Sequence, residues 1–280
     1  MQNIDLRTIA TFGVAGNFTG HLEQAGEAAD FTKVKAAQGA PKAVFPTYIP
    51  GGGNAVPEYL RIFPFDQSRI IFPQGEEKLQ IEPECAVIFK ATWQQDKIVA
   101  LQALSFAASN DCSIRKAGAS KISEKKNWGP SSKGFSSQTI QIDKFASGGV
   151  LDRYRIASFL VREGTAHPYG EDSAVKDYSY IYGQLTDWLI ERFNGQQDEG
   201  PAEHLSSYLN ACGHPQQLMV SIGATRYTQF GQTNFLKGGD IAVVVLYPGD
   251  VYRSDEIEKM AGSGEFNDPA ISVLSQLVVV

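Results

Sequence analysis

Hydrophobic positions along the chain fall mostly into short alternating or fully apolar runs, separated by clusters of Gly, Pro, Ser and Asn. KLQIEPECAVIFK (78–90) alternates as a strand does, with Gln80, Glu82, Glu84 and Ala86 on one face and Ile81, Pro83, Cys85 and Val87 on the other. Pro83 cannot donate to a ladder, which assigns that strand to an edge. RYRIASFLVREG (153–164) alternates and turns at Glu163-Gly164, a hairpin signal. QLMVSIG and DIAVVVLY read as further strands, an acidic turn follows, and the apolar tail ISVLSQLVVV needs a strand partner, because as a free edge it would aggregate. Helical spacing is clearest in DYSYIYGQLTDWLIERF (177–193), where Ile181, Leu185, Trp188 and Leu189 form one stripe. GPAEHLSSYLNACG (200–213) predicts a second helix. DKIVALQAL (96–104) predicts a third, capped by Asp96, with SFAASND returning as a strand. Residues 1–75 read as loops and short strands, since PKAVFPTYIPGGG forbids a long helix. The expectation is a β-rich α+β fold with helices packed outside.

Length and composition narrow the function classes. With 280 residues, 42% hydrophobic and 20% charged, the chain can build one large core, and no repeat or linker divides it. A net charge of −6 with scattered Lys and Arg leaves no basic face for nucleic acid. The longest strongly apolar run, IAVVVL, is too short for a membrane span, and the N-terminus has no leader character. Three cysteines without paired spacing suit a reducing compartment, so a cytoplasmic location is expected. Cys85 is assigned to the core, and Cys112 lacks a histidine partner that would make it a nucleophile. His167, His204 and His214 are assigned to the surface.

Candidate chemistry centres on acids. Alternate strand positions lie about 6.5 Å apart on one face, so Glu82 and Glu84 would repel each other unless a cation intervenes. Taken alone, E-x-E is ordinarily a solvent-facing strand edge, and Asn110-Asp111 an ordinary turn pair. Together they bring three carboxylates from two segments toward one point, the oxygen-rich set that a hard divalent cation requires.

The order of these pieces carries a resemblance. GVAGNFTGHLEQAGE resembles the G-x-N-Y-x-x-H opening of the fumarylacetoacetate hydrolase (FAH) superfamily, IEPECAVIFK its E-x-E strand, SNDCSIRK its N-D-x-S-x-R turn and SSKGFSS its lysine loop. FLVREGTAHPYGEDSAVKDY and MVSIGATRYTQFGQTNFLKGGDIAVVVL resemble its later hairpin and ending, so the similarity runs from about residue 12 to 246. The resemblance implies a mixed β-roll/β-sandwich core with peripheral helices, in one domain over 1–280. A lid and strand region would span 1–75, the catalytic core 76–250 and a tail 251–280. It implies Mg²⁺, with Mn²⁺ or Ca²⁺ as substitutes, on Glu82, Glu84 and Asp111. Lys133 would bind substrate carboxylate or enolate, Arg115 and Thr225 would assist binding, and His21 would act as general base. A homodimer is the implied assembly.

Some positions depart from the pattern. Gln24 stands where the lid usually has the glutamate that polarises the histidine, Phe18 replaces a tyrosine, and Thr225 comes one place late after Gly223. The implied function is a metal-dependent enzyme taking a small 1,3-dicarbonyl (diketo) or 2-oxo acid through an enolate, to C–C hydrolysis, decarboxylation or tautomerisation. The altered lid supports an alternative: a relative that binds a metabolite or a partner without turnover.

Overall fold

The computed structural model describes residues 5–31, 36–37, 39–116 and 118–280. Fourteen strands are present among them: β1 (Ala10–Ala15), β2 (Ala43–Tyr48), β3 (Arg69–Ile71), β4 (Leu79–Gln80), β5 (Pro83–Gln94), β6 (Lys97–Asn110), β7 (Ser113–Ile114), β8 (Gly134–Phe135), β9 (Ile140–Gln141), β10 (Tyr154–Arg162), β11 (Thr165–Ala174), β12 (Gln217–Ala224), β13 (Ile241–Pro248) and β14 (Ser272–Val279). One sheet runs β2-β1-β12-β5-β6-β8, with β9 also on β6. A second runs β11-β10-β13-β14-β3, and β4 pairs with β7. The fold is strand-rich α+β, with few helices.

The two sheets share one core, to which Val87, Phe89 and Phe106 contribute from the first and Ile156, Leu160, Val244, Leu246 and Leu274 from the second. The helix Tyr182–Gly195 presses Leu185, Trp188, Leu189 and Phe193 into the same core, close to the stripe expected from sequence. Alternate residues of β10 and β13 (Phe159, Val161, Val243, Val245) face the other way onto Ile257 and Ala261 of the helix Ser254–Ser263. IAVVVL is therefore unbroken by polar residues because both faces of β13 are covered.

Three sequence-based expectations are corrected. Residues 97–104 are not a helix but the first half of β6, paired with β5 from Gln94↔Lys97 through to Pro83↔Asn110. In this half Ile98 is buried and Leu101, Ala103 and Leu104 are partly so, while Lys97, Val99, Ala100 and Gln102 are exposed, so its apolar spacing has no clean period of two. Gln95, at φ 54, makes the tight reversal. Second, β5 is not an edge: it lies between β12 and β6, and Pro83 is tolerated because it is the strand's first residue. Third, the acidic turn after β13 contains the helix Ser254–Ser263, which begins with a Glu256 side chain accepting from the Arg253 backbone N–H. The apolar tail, as required, is β14, held between β13 and β3.

Candidate active site

The β5–β6 hairpin delivers the acids. Pro83 faces Asn110 and Glu84 faces Ser109 in register. Asn110 then locks the strand ends: its Oδ1 accepts from the Glu82 N–H at 3.1 Å and its Nδ2 donates to Gln276 Oε1 at 3.0 Å, while the Asp111 N–H donates to Glu82 O at 3.0 Å. Carboxylate oxygens of Glu82, Glu84 and Asp111 consequently lie within 4.8 Å of one another, all buried. On the adjacent strand the β12–β5 register shifts between Ser221 and Ala224, and Gly223 adopts φ 117. That conformation, which favours glycine, turns its N–H onto Glu84 Oε2 at 2.9 Å.

Basic side chains close around the acids. Lys133 Nζ lies 2.7 Å from Asp111 Oδ1 and donates to Cys112 O at 2.7 Å. Arg115 donates from Nη2 to Glu82 Oε1 (2.7 Å) and the Tyr227 hydroxyl (2.8 Å), from Nη1 to Glu27 Oε1 (2.7 Å) and from Nε to Gln80 Oε1 (2.6 Å). Two further cations went unrecognised in the sequence: Lys126 Nζ lies 2.5 Å from Glu82 Oε2 and 2.8 Å from Asp111 Oδ2, and Lys125 Nζ 2.9 Å from Glu27 Oε1. Beyond Lys133 and Arg115, the two cations that the resemblance implied, the acids thus face two more. Four acidic and four basic side chains meet here, and the EKK run that looked like turn chemistry supplies two of them.

The charges interlock. Burial alone would raise Glu82, but the Lys126 ammonium and Arg115 guanidinium outweigh it and hold the carboxyl well below its usual range. Glu84, buried beside Asp111 and Glu82 with one N–H donor, is pushed well above its usual range and favours the neutral acid. Burial also lowers Lys133, against the pull of Asp111.

His21 sits in the short helix His21–Gln24, with its ring centroid 5.2 Å from that of Tyr227. Its Nδ1 is 2.8 Å from Thr225 O. A carbonyl only accepts, so Nδ1 carries the hydrogen and Nε2 keeps its lone pair. Burial lowers the histidine below its ordinary value, opposed by Glu82 and Glu27. Thr225 is buried, with an Oγ1 that has no hydrogen-bond partner. Cys85 and Cys112 are core residues, while His204 is exposed and His167 and His214 are partly so. A cleft of about 290 Å³ reaches the outer side of the cluster, where Glu27, Arg115 and Lys125 line it with Gly26, Lys116 and Ala119.

The donor set fits a hard divalent ion: three carboxylates converge, and Asp111 Oδ2, fully buried, accepts no hydrogen bond. The Lys126 ammonium lies against two of the same oxygens, so an ion would take their place only with that side chain withdrawn.

Known proteins agree with the fold. A 2-keto-3-deoxy-D-arabinonate dehydratase complexed with magnesium and 2,5-dioxopentanoate is similar at TM-score 0.55 and 17% identity, covering 96% of this chain and 72% of that one. Cg1458 with inhibitor is similar at TM-score 0.56 and 15% identity, with 96% and 76% covered. A 2-hydroxyhepta-2,4-diene-1,7-dioate isomerase from Mycobacterium marinum is similar at 0.50 and 12%, with 96% and 74% covered. The chain thus has the fold of FAH superfamily members, as its motif order implied. No curated protein matches it in sequence. Residues 27–278 match a family described only as one of unknown function, and the chain belongs to that family, DUF5718.

Proposed function

We propose that this chain is an enzyme that takes a small 2-oxo acid or 1,3-dicarbonyl acid through an enolate. The observation that carries the reading is the buried meeting of Glu82, Glu84 and Asp111 with Lys133, within electrostatic reach of a histidine whose Nε2 is unprotonated. Solved proteins of similar fold include a dehydratase and an isomerase of oxo- and hydroxy-acids, which supports that substrate class. Glu82, Glu84 and Asp111 would hold Mg²⁺, Mn²⁺ or Ca²⁺, and when bound such an ion would polarise the substrate carbonyl as a Lewis acid.

The chain's own groups would divide the remaining work. Lys133, buried and tethered to Asp111 and Cys112 O, offers its ammonium to the substrate carboxylate or the developing enolate oxygen. Thr225 Oγ1 is a second donor without a partner of its own. Arg115 is fully engaged with Glu27, Glu82, Gln80 and Tyr227, so it holds the site's shape and presents a positive edge to the cleft. His21 removes or returns a proton at substrate carbon through Nε2. Its Nδ1 rests on a backbone carbonyl rather than on a carboxylate that would stabilise the imidazolium, which suits a base for the acidic carbon of an activated oxo acid better than one for water. Isomerisation or decarboxylation therefore suits the site better than hydrolysis. A cytoplasmic homodimer is the setting we propose.

The test is deuterium exchange at C3 of a panel of 2-oxo and 1,3-dicarbonyl acids, followed by proton NMR in D₂O with and without Mg²⁺. Exchange catalysed by the purified chain and slowed roughly 100-fold or more in His21→Asn and Lys133→Met is expected. No exchange, no bond cleavage and no oxalate binding across the panel would end this reading.

A further inference from the structure

Each acid of the cluster divides its two oxygens in a regular way. Glu82 gives Oε1 to Arg115, Asp111 gives Oδ1 to Lys133, and Glu84 gives Oε2 to the Gly223 N–H. The remaining oxygens of Glu82 and Asp111, Oε2 and Oδ2, both face one atom, Lys126 Nζ, at 2.5 and 2.8 Å. The contact to Oδ2 is an ion contact without hydrogen-bond geometry, so that buried oxygen still lacks a donor. These are the oxygens a divalent ion would need.

Lys126 is a built position, only 2% exposed. It follows the turn Ile122–Lys125, and its N–H donates to Ser123 O at 3.0 Å. Ser123 is itself fixed by Tyr59 (2.7 Å) and Glu203 (2.9 Å). On the other side Asn127 Nδ2 donates to Thr47 O and Ile62 O, both at 3.0 Å. With its backbone anchored before and after, the side chain runs over the Phe45 ring, 5.3 Å from Nζ to the centroid, and ends among the acids.

We propose that Lys126 is the resident cation of this seat, and that it and a divalent ion exclude one another there. This rests on the reading of Glu82, Glu84 and Asp111 as a cation seat. The two positive charges would compete for the same pair of oxygens at contact distance, where like-charge repulsion in a buried site is strong. The wild-type chain should then hold its acids together without metal, and admit an ion only as the ammonium leaves.

Mn²⁺ titration followed by loss of the free-ion electron paramagnetic resonance signal tests this directly on the purified, chelator-treated chain. Lys126→Met keeps the length and apolar stem of the side chain and removes its charge. It should bind one equivalent of Mn²⁺ at least tenfold more tightly than wild type, and adding Asp111→Asn should erase the gain. Equal affinity in wild type and Lys126→Met overturns the exclusion while leaving the seat intact. Absence of binding in both overturns the seat and this inference with it, whereas the exchange assay above judges the enolate reading separately. Near-UV circular dichroism checks the fold of each variant, and Lys126→Gln is the second neutral substitution. Should neither fold, a crystal structure of the wild-type chain soaked with Mn²⁺ decides: an ion on Glu82 and Asp111 with the Lys126 ammonium still against both refutes the proposal, and an empty seat or an ion with the ammonium withdrawn supports it.

Discussion

Gln24 grips the backbone of Tyr227 at two points: its Oε1 accepts from the Tyr227 N–H at 2.7 Å and its Nε2 donates to Tyr227 O at 3.2 Å. The residue that departs from the family's usual pattern therefore fastens the short helix His21–Gln24 to the segment after β12, the same segment whose Thr225 carbonyl orients His21. An amide can do both, because it carries a donor and an acceptor side by side. A glutamate cannot: one of its oxygens would face the Tyr227 carbonyl. Gln24→Glu should therefore lower stability by roughly 0.5–1.5 kcal/mol, the usual contribution of a hydrogen bond at a half-buried position. Urea unfolding of the variant at pH 7 measures it, and an unchanged midpoint would show that the clamp contributes nothing.

Arg115 is the hub that ties Glu27 to Glu82, and its removal should be felt by the whole molecule. Arg115→Met leaves Glu27 with Lys125, Glu82 with Lys126, and Gln80 and Tyr227 each short of a partner. Breaking one side of a buried ion pair costs about 3–5 kcal/mol. Arg115→Lys should rescue little of this, since one ammonium cannot reproduce a fork that bonds four groups. Urea midpoints of both variants provide the check. Arg253→Ala, removing a solvent-exposed ion pair, should leave the midpoint where it is.

The three converging acids were legible in the sequence, and two of the four cations around them, Lys125 and Lys126, were not, for a physical reason. Glu82 and Glu84 announce themselves by strand alternation, and Asp111 by the apolar run that carries it inward. Lys125 and Lys126 sit in a charged, Gly- and Ser-rich stretch, and their acids lie far away along the chain, at Glu27, Glu82 and Asp111. Nothing local distinguishes such a lysine from a solvated one. Glu27, in a Gly-rich turn, likewise carries no local sign that its ion pairs are with Arg115 and Lys125. The β5–β6 hairpin hid differently. Asn194 brackets Ile98 with hydrogen bonds to both its N–H and its carbonyl, a long-range contact that a window over 96–104 cannot contain.

Glu203, beneath the turn that carries the two lysines, should make stability fall with alkalinity. Burial pushes its carboxyl up to about 8, and its Oε2 has no partner. Its folded value is raised above the unfolded one, so between about 4.5 and 8 the folded chain holds a proton that the unfolded chain has released. Stability therefore declines as pH rises through that window, at up to about 1.4 kcal/mol per unit from this group. Glu203→Gln keeps an acceptor for Ser123 and removes the proton. Its unfolding free energy should change less between pH 5.5 and 8 than that of wild type. Identical slopes would place the pH dependence elsewhere.

His21 predicts a limb on the acid side of the activity profile. Burial lowers it below its ordinary 6.5, with Arg115 and Lys126 adding to the shift and Glu82 and Glu27 opposing it. Nε2 accepts a proton only while the ring is neutral, so kcat/KM for enolate exchange should be flat near pH 7 and fall through a midpoint acid to 6.5. Stability should follow the same sign. As pH drops past about 6.5 the unfolded chain takes up a proton that the buried imidazole refuses, so the folded state loses ground on acidification and nothing on the alkaline side. His21→Asn should slow exchange roughly 100-fold or more and remove this part of the acid sensitivity, measured as the unfolding free energy at pH 5 and 7. A kcat/KM profile whose midpoint lies above 6.5 would mean that another group is the base, because burial, Arg115 and Lys126 together outweigh Glu82 and Glu27 and hold this histidine below its ordinary value.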